Sequence, residues 1–376
     1  MYFKDHNIMN MKKYNIYYQI LPVLILVLFF ACKKSKLENK GIFITNAAES
    51  VEGFVSVDDQ GGSISLTSSS YAQTQEDISI SYVSDANKVA EYNKKHNTSY
   101  KPLPDKFYSL SNNTTVIPAG ASVSNAIKIT VSPLDATIKD GDLYMVPVEI
   151  KEASSDIPVI AASRILYIII NRVLINPALD AGHTGVAFAI PDPIKDLTQF
   201  TVEMRVRVTT TFVNNMALFS AGPDPIYSRF GDVVIKPNQL QIKYAGIQPA
   251  SSTEFLSNKW YHIAYVFDGN ANSFKIYVDG KLDGTTSAPA NTKFNLSTMG
   301  FGGKAQVQEL RFWTKALTQK EISSGICAVN PTSDGLYGYW RFDEGTGNTV
   351  ADATGHGHTG TISGTVKWIT GIRCPN

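Results

Sequence analysis

The chain has 376 residues, of which 43% are hydrophobic, 11% aromatic and 18% charged, with a formal net charge of +1. A balance this close to neutral, without a basic stripe, leaves no electrostatic footprint for nucleic acid and excludes that class of partner.

At the amino end, Lys4, Lys12 and Lys13 precede an apolar run from Ile20 to Phe30, which meets Ala31-Cys32. The order basic, hydrophobic, small residue, cysteine is similar to a bacterial lipoprotein signal. That likeness implies cleavage before Cys32 and lipidation of Cys32, with 1–31 as signal peptide and 32–40 as tether. Phe29 stands where such signals usually carry Leu. The other reading is an uncleaved anchor, although the run is shorter than the ~20 residues a bilayer span needs. Loss of the signal removes three lysines and one aspartate and leaves a net charge of −1.

From 41 to 173 the chain shows short β-rich runs: Ile42 to Thr45, Ser63 to Thr67, Ile78 to Val83, Ala126 to Val131 and Leu143 to Ile150. Turn residues at Gly61-Gly62, Pro118-Ala-Gly120 and Lys139-Asp-Gly141 separate them, the pattern of an all-β sandwich. One helix interrupts, starting near Asp85 as N-cap, running through Val89, Ala90 and Tyr92, and stopping around Asn97. Ile165 to Ile170 reads as a buried strand, and the boundary falls near Asn171 to Pro177, with a second domain over 178–374.

Three blocks mark that second domain: Lys259-Trp-Tyr-His-Ile-Ala-Tyr-Val-Phe-Asp268, Val307-Gln-Glu-Leu-Arg-Phe-Trp313 and Gly338-Tyr-Trp-Arg-Phe-Asp-Glu-Gly345. Beyond the first, Phe274, Ile276 and Val278 alternate with Lys275 and Tyr277 before Asp279-Gly280, which predicts a hairpin with one buried face. Beyond the second, Thr318 and Glu321 have the spacing of a capping box, which predicts a short helix.

Together the blocks resemble the laminin-G-like and concanavalin-A-like jelly-roll superfamily, through residues that include Trp260, His262, Asp268, Glu309, Arg311, Trp313, Trp340, Asp343 and Gly345. The string Ala90-Glu-Tyr-Asn-Lys-Lys-His-Asn-Thr-Ser-Tyr100, with Ile117-Pro-Ala-Gly120 and Tyr144-Met-Val-Pro-Val148, resembles a domain of unknown function in Bacteroidetes lipoproteins. There the domain stands beside sugar-binding modules or glycosidases encoded with glycan-import machinery, which implies a spacer or platform. The expected fold is therefore all-β: an N-terminal Ig-like β-sandwich with one short helix, then a concanavalin-A-like jelly-roll sandwich. The expected function is glycan binding without catalysis, at the outer membrane by a lipid anchor and facing the cell surface, in a polysaccharide utilisation system with glycan-import proteins as partners. The alternatives are a glycoside hydrolase, or its accessory subunit, and a protein-binding adhesion or assembly module, because this fold hosts all three.

Jelly-roll glucanases carry Glu-x-Asp-x-x-Glu on one strand to set carboxylates at hydrolytic separation. No such string occurs; Glu203 is the only acid of Phe200 to Val208, and Glu309 with Arg311 reads as a structural ion pair. A Gly-x-Ser-x-Gly nucleophile motif is absent as well. The histidines of Gly355-His-Gly-His358 lack further zinc ligands nearby and read as solvated turn residues. Asp343, Asn348, Asp352 and Thr354 form an oxygen-rich stretch that suits Ca²⁺, with Asp343 and Asp352 as ligands, or else side-chain-capped turns. Trp260, Trp313 and Trp340 read as packing residues. Sugar recognition needs aromatic faces beside polar donors. Candidates are Tyr227, Arg229 and Phe230, in a segment that interrupts the strand pattern, with Tyr244 and Gln248 beyond it; Arg205 stands where the family often has an aromatic. With Cys32 lipidated, Cys327 and Cys374 remain either to form a bridge in an oxidising compartment or to stay as two buried thiols.

Overall fold

The computed structural model describes residues 41–375 apart from 183. The lipoprotein signal, the tether and Cys32 lie outside the described residues.

Alternating apolar residues set the N-terminal architecture. In the strands Tyr144–Ala153 and Ile165–Arg172, Val146, Val148, Ile150, Leu166, Ile168 and Ile170 point into one core. Their six-stranded sheet runs in the order Glu52–Val57, Ile165–Arg172, Tyr144–Ala153, Ile78–Val83 and Thr114–Ile117, with Lys101–Pro102 beside the third. A three-stranded sheet, Gly62–Leu66, Ile127–Val131 and Tyr108–Leu110, supplies apolar side chains to the same core. The outer face of the larger sheet is covered by helix α1, Asn87–His96, whose Val89 and Tyr92 pack on Met145 and Ile169. That helix starts two residues after the expected cap, yet Asp85 still accepts a hydrogen bond from the Asn87 N–H at 3.0 Å. Asn97 closes it in the left-handed conformation that asparagine tolerates.

The crossing to the second domain takes one residue. Val173 N donates to Val57 O in the first domain, and Leu174 already pairs with Cys374 in the second. The crossing lies at Val173, and Asn176-Pro177 already forms part of the strand Leu174–Asp180, at a register shift between Asn176 and Ala178. A bulge is where a strand can accept a residue without an N–H.

The second domain is two packed sheets. A front sheet orders Lys281–Ser287, Ser273–Val278, Tyr261–Asp268, Gln199–Val208, Ala305–Trp313, Leu174–Asp180 and Trp368–Cys374, with Leu336–Trp340 beside Ala305–Trp313. A back sheet orders Ile235–Lys243, Ile226–Asp232, Met216–Pro223, Phe294–Gly302, Gly185–Phe188, Gly360–Ile362 and Thr349–Val350. Phe200, Val202, Met204 and Val206 of the front sheet meet Phe219, Phe230, Phe294 and Phe301 of the back sheet in the shared core. The Asp279-Gly280 hairpin forms as expected, both residues with positive φ. Gly280 also needs its missing Cβ, which would stand 2.7 Å from Ser323 Oγ. Helix α2, Gln319–Ser324, carries the expected Thr318/Glu321 capping box and lays Ile322 on the front sheet's outer face. Among the described residues no helix is long and apolar enough to cross a membrane.

Candidate functional site

With α2 and the chain that follows it covering the front sheet, polar side chains on that outer face are buried and must satisfy one another. Glu203, His262 and Arg311 are at most 1% exposed. Trp313 Nε1 donates to Glu203 Oε2 at 2.7 Å, and Arg311 Nη1 stands 3.5 Å from the same oxygen while donating to Gly325 O at 2.7 Å. Arg311 Nη2 also pairs with Glu309, whose carboxylate accepts the Tyr339 hydroxyl at 2.5 Å. Glu309 joins this cluster through a bulge: the register shifts between Glu203 and Arg205, and Glu309 takes a φ of 56°. His262 Nε2 lies 3.3 Å from Glu203 Oε1 without an aligned hydrogen bond.

Burial opposes ionisation of Glu203, but Arg311, His262 and Trp313 outweigh it and hold the carboxyl below its usual range. Burial pushes Glu309 up despite Arg311 and Tyr339. Two carboxylates tuned apart resemble an acid and base pair. Both are locked to one guanidinium and buried under a helix, however, and the expected Glu309–Arg311 ion pair is the core of this larger network.

The back sheet's outer face is open, and there two of the expected binding residues come together. Ser220, Tyr227 and Lys243 are direct cross-strand partners, so all three project from one side. Tyr227 is half-buried, with its ring 6.0 Å from the Arg229 guanidinium. Arg229 is held by Asn215, by Asp232 and by Gln241 Oε1 at 2.9 Å. Lys243 stands 3.6 Å from Asp232, whose carboxyl is kept below its usual range by the Val233 N–H together with Arg229 and Lys243. Beyond Ser220 the row continues through Gly300, Ala187 and Thr361, all small.

Several expectations are corrected. The Pro223-to-Gly231 segment is no irregular loop but a hairpin between Met216–Pro223 and Ile226–Asp232. Strand alternation therefore turns Phe230 inward to 1% exposure, against Phe212 and Phe255, so it offers no face to a ligand. Tyr244 is likewise in the core, packed edge-to-face against Phe200, Phe267 and Phe294, with its hydroxyl donating to Lys293 O. Arg205 is buried on the far sheet, donating to Gln308 at 2.6 Å and Arg373 O at 2.8 Å and lying 5.0 Å from the Trp260 ring; burial pulls it down to about 10. It is a packing element and not part of an opened surface. Trp260, Trp313 and Trp340 are buried, as read from the sequence.

Asp352 is a turn cap and not a metal ligand. Its Oδ1 accepts from Tyr339 N, Thr354 N and Thr354 Oγ1, and its Oδ2 from His358 N and Nδ1 at 3.1 Å each. Those five donors occupy the lone pairs a cation would need. His358, expected in solvent, is 1% exposed for the same reason, whereas His356 is exposed. No group of three or more His, Cys, Asp or Glu that could hold a metal occurs among the described residues, Asp343 included. Cys327 and Cys374 are joined, with Cα atoms 5.5 Å apart. Sequence reasoning did not find Asn215, Asp232, Gln241 and Lys243, since only strand pairing brings them around Arg229.

Comparison with known proteins agrees with this architecture. Residues 180–323 match the family model of the concanavalin A-like lectin/glucanase superfamily, and residues 37–157 match a model described as an N-terminal domain. No curated protein sequence matches the chain. A Bacteroides ovatus protein proposed to bind carbohydrate is similar in structure, with 24% identity and a TM-score of 0.54 over 88% of this chain and 97% of that one. A heptameric SAP-like pentraxin from Limulus polyphemus is 14% identical, with a TM-score of 0.36 over 52% of this chain and 95% of that one. The C-terminal half is thus a concanavalin A-like domain of the laminin-G type, carried behind a separate N-terminal β-sandwich.

Proposed function

We propose that the protein binds a glycan without cleaving it, as a lipid-anchored component of the outer membrane that serves polysaccharide uptake. The observation that carries this reading is the half-buried Tyr227 ring on the open sheet face, set beside a polar cluster of Asn215, Asp232, Gln241 and Lys243 that is pre-organised around Arg229. A pyranose ring stacks on such a face, and fixed amide, carboxylate and ammonium groups suit its hydroxyls. The sealed state of Glu203 and Glu309 supports binding over hydrolysis. The carbohydrate role proposed for the structurally similar Bacteroides ovatus protein points the same way at the level of fold. Membrane attachment rests on the signal-like segment ending at Cys32, and partnership with glycan-import proteins rests on the domain pairing.

The test is a glycan-array screen of residues 33–376 with and without Ca²⁺, followed by product analysis on each hit. Reproducible binding without new reducing ends is the expected result. New reducing ends would replace this reading with hydrolysis, and silence across the array would replace it with protein recognition.

A further inference from the structure

The two domains enclose a cleft of about 920 Å³. One wall is the chain after α1, including Thr98 and Ser99, with the Gly141 to Leu143 turn; the other is Trp313, Thr318 and the Asn330 to Asp334 loop. The walls are braced against each other. Lys320 Nζ donates to Tyr92 Oη at 3.3 Å and stands 3.8 Å from Glu52, while Asn330 Nδ2 donates to Asp142 at 3.0 Å. Gly141, at a φ of +83°, lies so close to Val329 that a Cβ would stand 2.1 Å from its carbonyl carbon. Contacts of this kind fix the cleft as a feature of the fold.

We propose that this cleft is a second glycan site, shared by both domains, and that it takes a short neutral oligosaccharide. Its volume lies within the ~300–1,000 Å³ usual for ligand pockets, and domain interfaces are a preferred place for them. The lining decides the ligand class. Its three lysines are all engaged: Lys101 with Asp142 at 2.7 Å, Lys315 with Glu321 at 3.1 Å, and Lys320 with Tyr92 and Glu52. Three acids, Asp142, Glu321 and Asp334, line the same space, so the cleft holds no excess charge to attract an anionic or cationic chain. What remains available is hydroxyl and amide groups from Asn97, Ser99 and Ser333, with Thr98 and Thr332 offering oxygen lone pairs while their hydroxyls donate to Asn93 and Asn330, a set that matches a polyhydroxylated ligand. The N-terminal domain is then a contributor to recognition as well as a spacer. The proposal rests on the glycan-binding reading for its ligand class, and on the cleft alone for its location.

The experiment is isothermal titration of the mature chain with mannotetraose, xylotetraose, maltotetraose and cellotetraose, with tetragalacturonate as the charged control, on the native protein, Ser99→Trp and Tyr227→Ala. Ser99 is exposed on the cleft wall, so an indole there fills the space without disturbing the core. Expected are two molecules bound per native chain for at least one neutral tetrasaccharide, one per chain in Ser99→Trp, and in Tyr227→Ala a second molecule held about tenfold more weakly. Hydrogen exchange on the same samples should show ligand protection over 97–101 and 330–334, lost in Ser99→Trp. Unchanged stoichiometry and protection in Ser99→Trp overturn the cleft proposal while leaving the sheet-face reading intact. Unchanged binding in Tyr227→Ala together with loss in Ser99→Trp removes the sheet face and keeps the cleft. Preference for tetragalacturonate overturns the neutral ligand class, and absence of binding to every probe overturns both sites.

Discussion

Trp313 donates its indole N–H to Glu203 at 2.7 Å across paired strands, with Glu203 fully buried and Trp313 buried but for the part that lines the cleft between the domains. The contact ties a tryptophan read from the sequence as packing to an acid that reads there as solitary. Arg311 completes the arrangement by serving Glu203 and Glu309 at once. Removing it would take from two buried carboxylates the guanidinium they share, a loss of about 3–5 kcal/mol. Arg311→Met should therefore lower the urea midpoint severely or abolish folding. Glu203→Gln, which keeps an acceptor for Trp313, should cost only about 1–3 kcal/mol. Equal midpoints for the two variants would show that the network is not held by charge.

The pair His358 and Asp352 makes stability fall with acid in two stages. Burial, only partly offset by Asp352, holds His358 below the usual histidine range. The unfolded chain thus takes up the proton first, near pH ~6.5, and stability declines from there down to the folded value. Burial would raise Asp352, but hydrogen bonds from Thr354, Tyr339 and His358 outweigh it and leave it lowered. Its contribution is present above the unfolded value of ~3.9 and is lost as pH drops through the folded one. Urea midpoints between pH 8 and 4 should decline below 6.5 in the native protein and decline less in His358→Asn, where His96, also held low by burial, still contributes. A native midpoint that is flat over this range would mean that His358 titrates as it does in water.

The Cys327–Cys374 bridge joins residues 47 apart and secures the C-terminal strand that pairs with Leu174 at the domain crossing. Closing a loop of that length stabilises by up to about 4 kcal/mol on the chain-entropy model. Cys327→Ser with Cys374→Ser should lower the melting temperature, and reductant should have no further effect on that variant. A native protein whose melting is indifferent to reductant would argue against the bridge.

If Cys32 carries the lipid, Cys32→Ser should move the protein from the membrane fraction to the soluble exported fraction and abolish labelling by a clickable fatty acid. Continued membrane fractionation of that variant would favour the uncleaved anchor.

Much of the fold was legible in the sequence because it depends on local signals. The Asp279-Gly280 turn, the Thr318/Glu321 capping box and the alternation along Phe274 to Val278 each specify their own element. The candidate site was legible only in part. Tyr227 and Arg229 stood out as residues of the right type, but Phe230 and Tyr244 share that chemistry and differ only in which way strand alternation turns them. That direction depends on the Met216–Pro223 hairpin, whose Gly222-Pro223 register shift hides the strand pattern. The five donors on Asp352 come from segments that meet only after folding, so the chain alone leaves calcium and turn capping undivided. The cleft between the domains arises from their docking, which no local pattern encodes.

The account turns on the Tyr227 face, and the most direct measurement is the affinity of native protein and Tyr227→Ala for the best neutral glycan from the array, with urea midpoints recorded alongside. Loss of one stacking face should weaken binding at the sheet by about tenfold, near 1.4 kcal/mol, and the half-buried position of Tyr227 predicts folding stability little changed. Equal affinity in the two proteins at every site, or no neutral glycan bound by the native chain, would contradict glycan recognition by this surface.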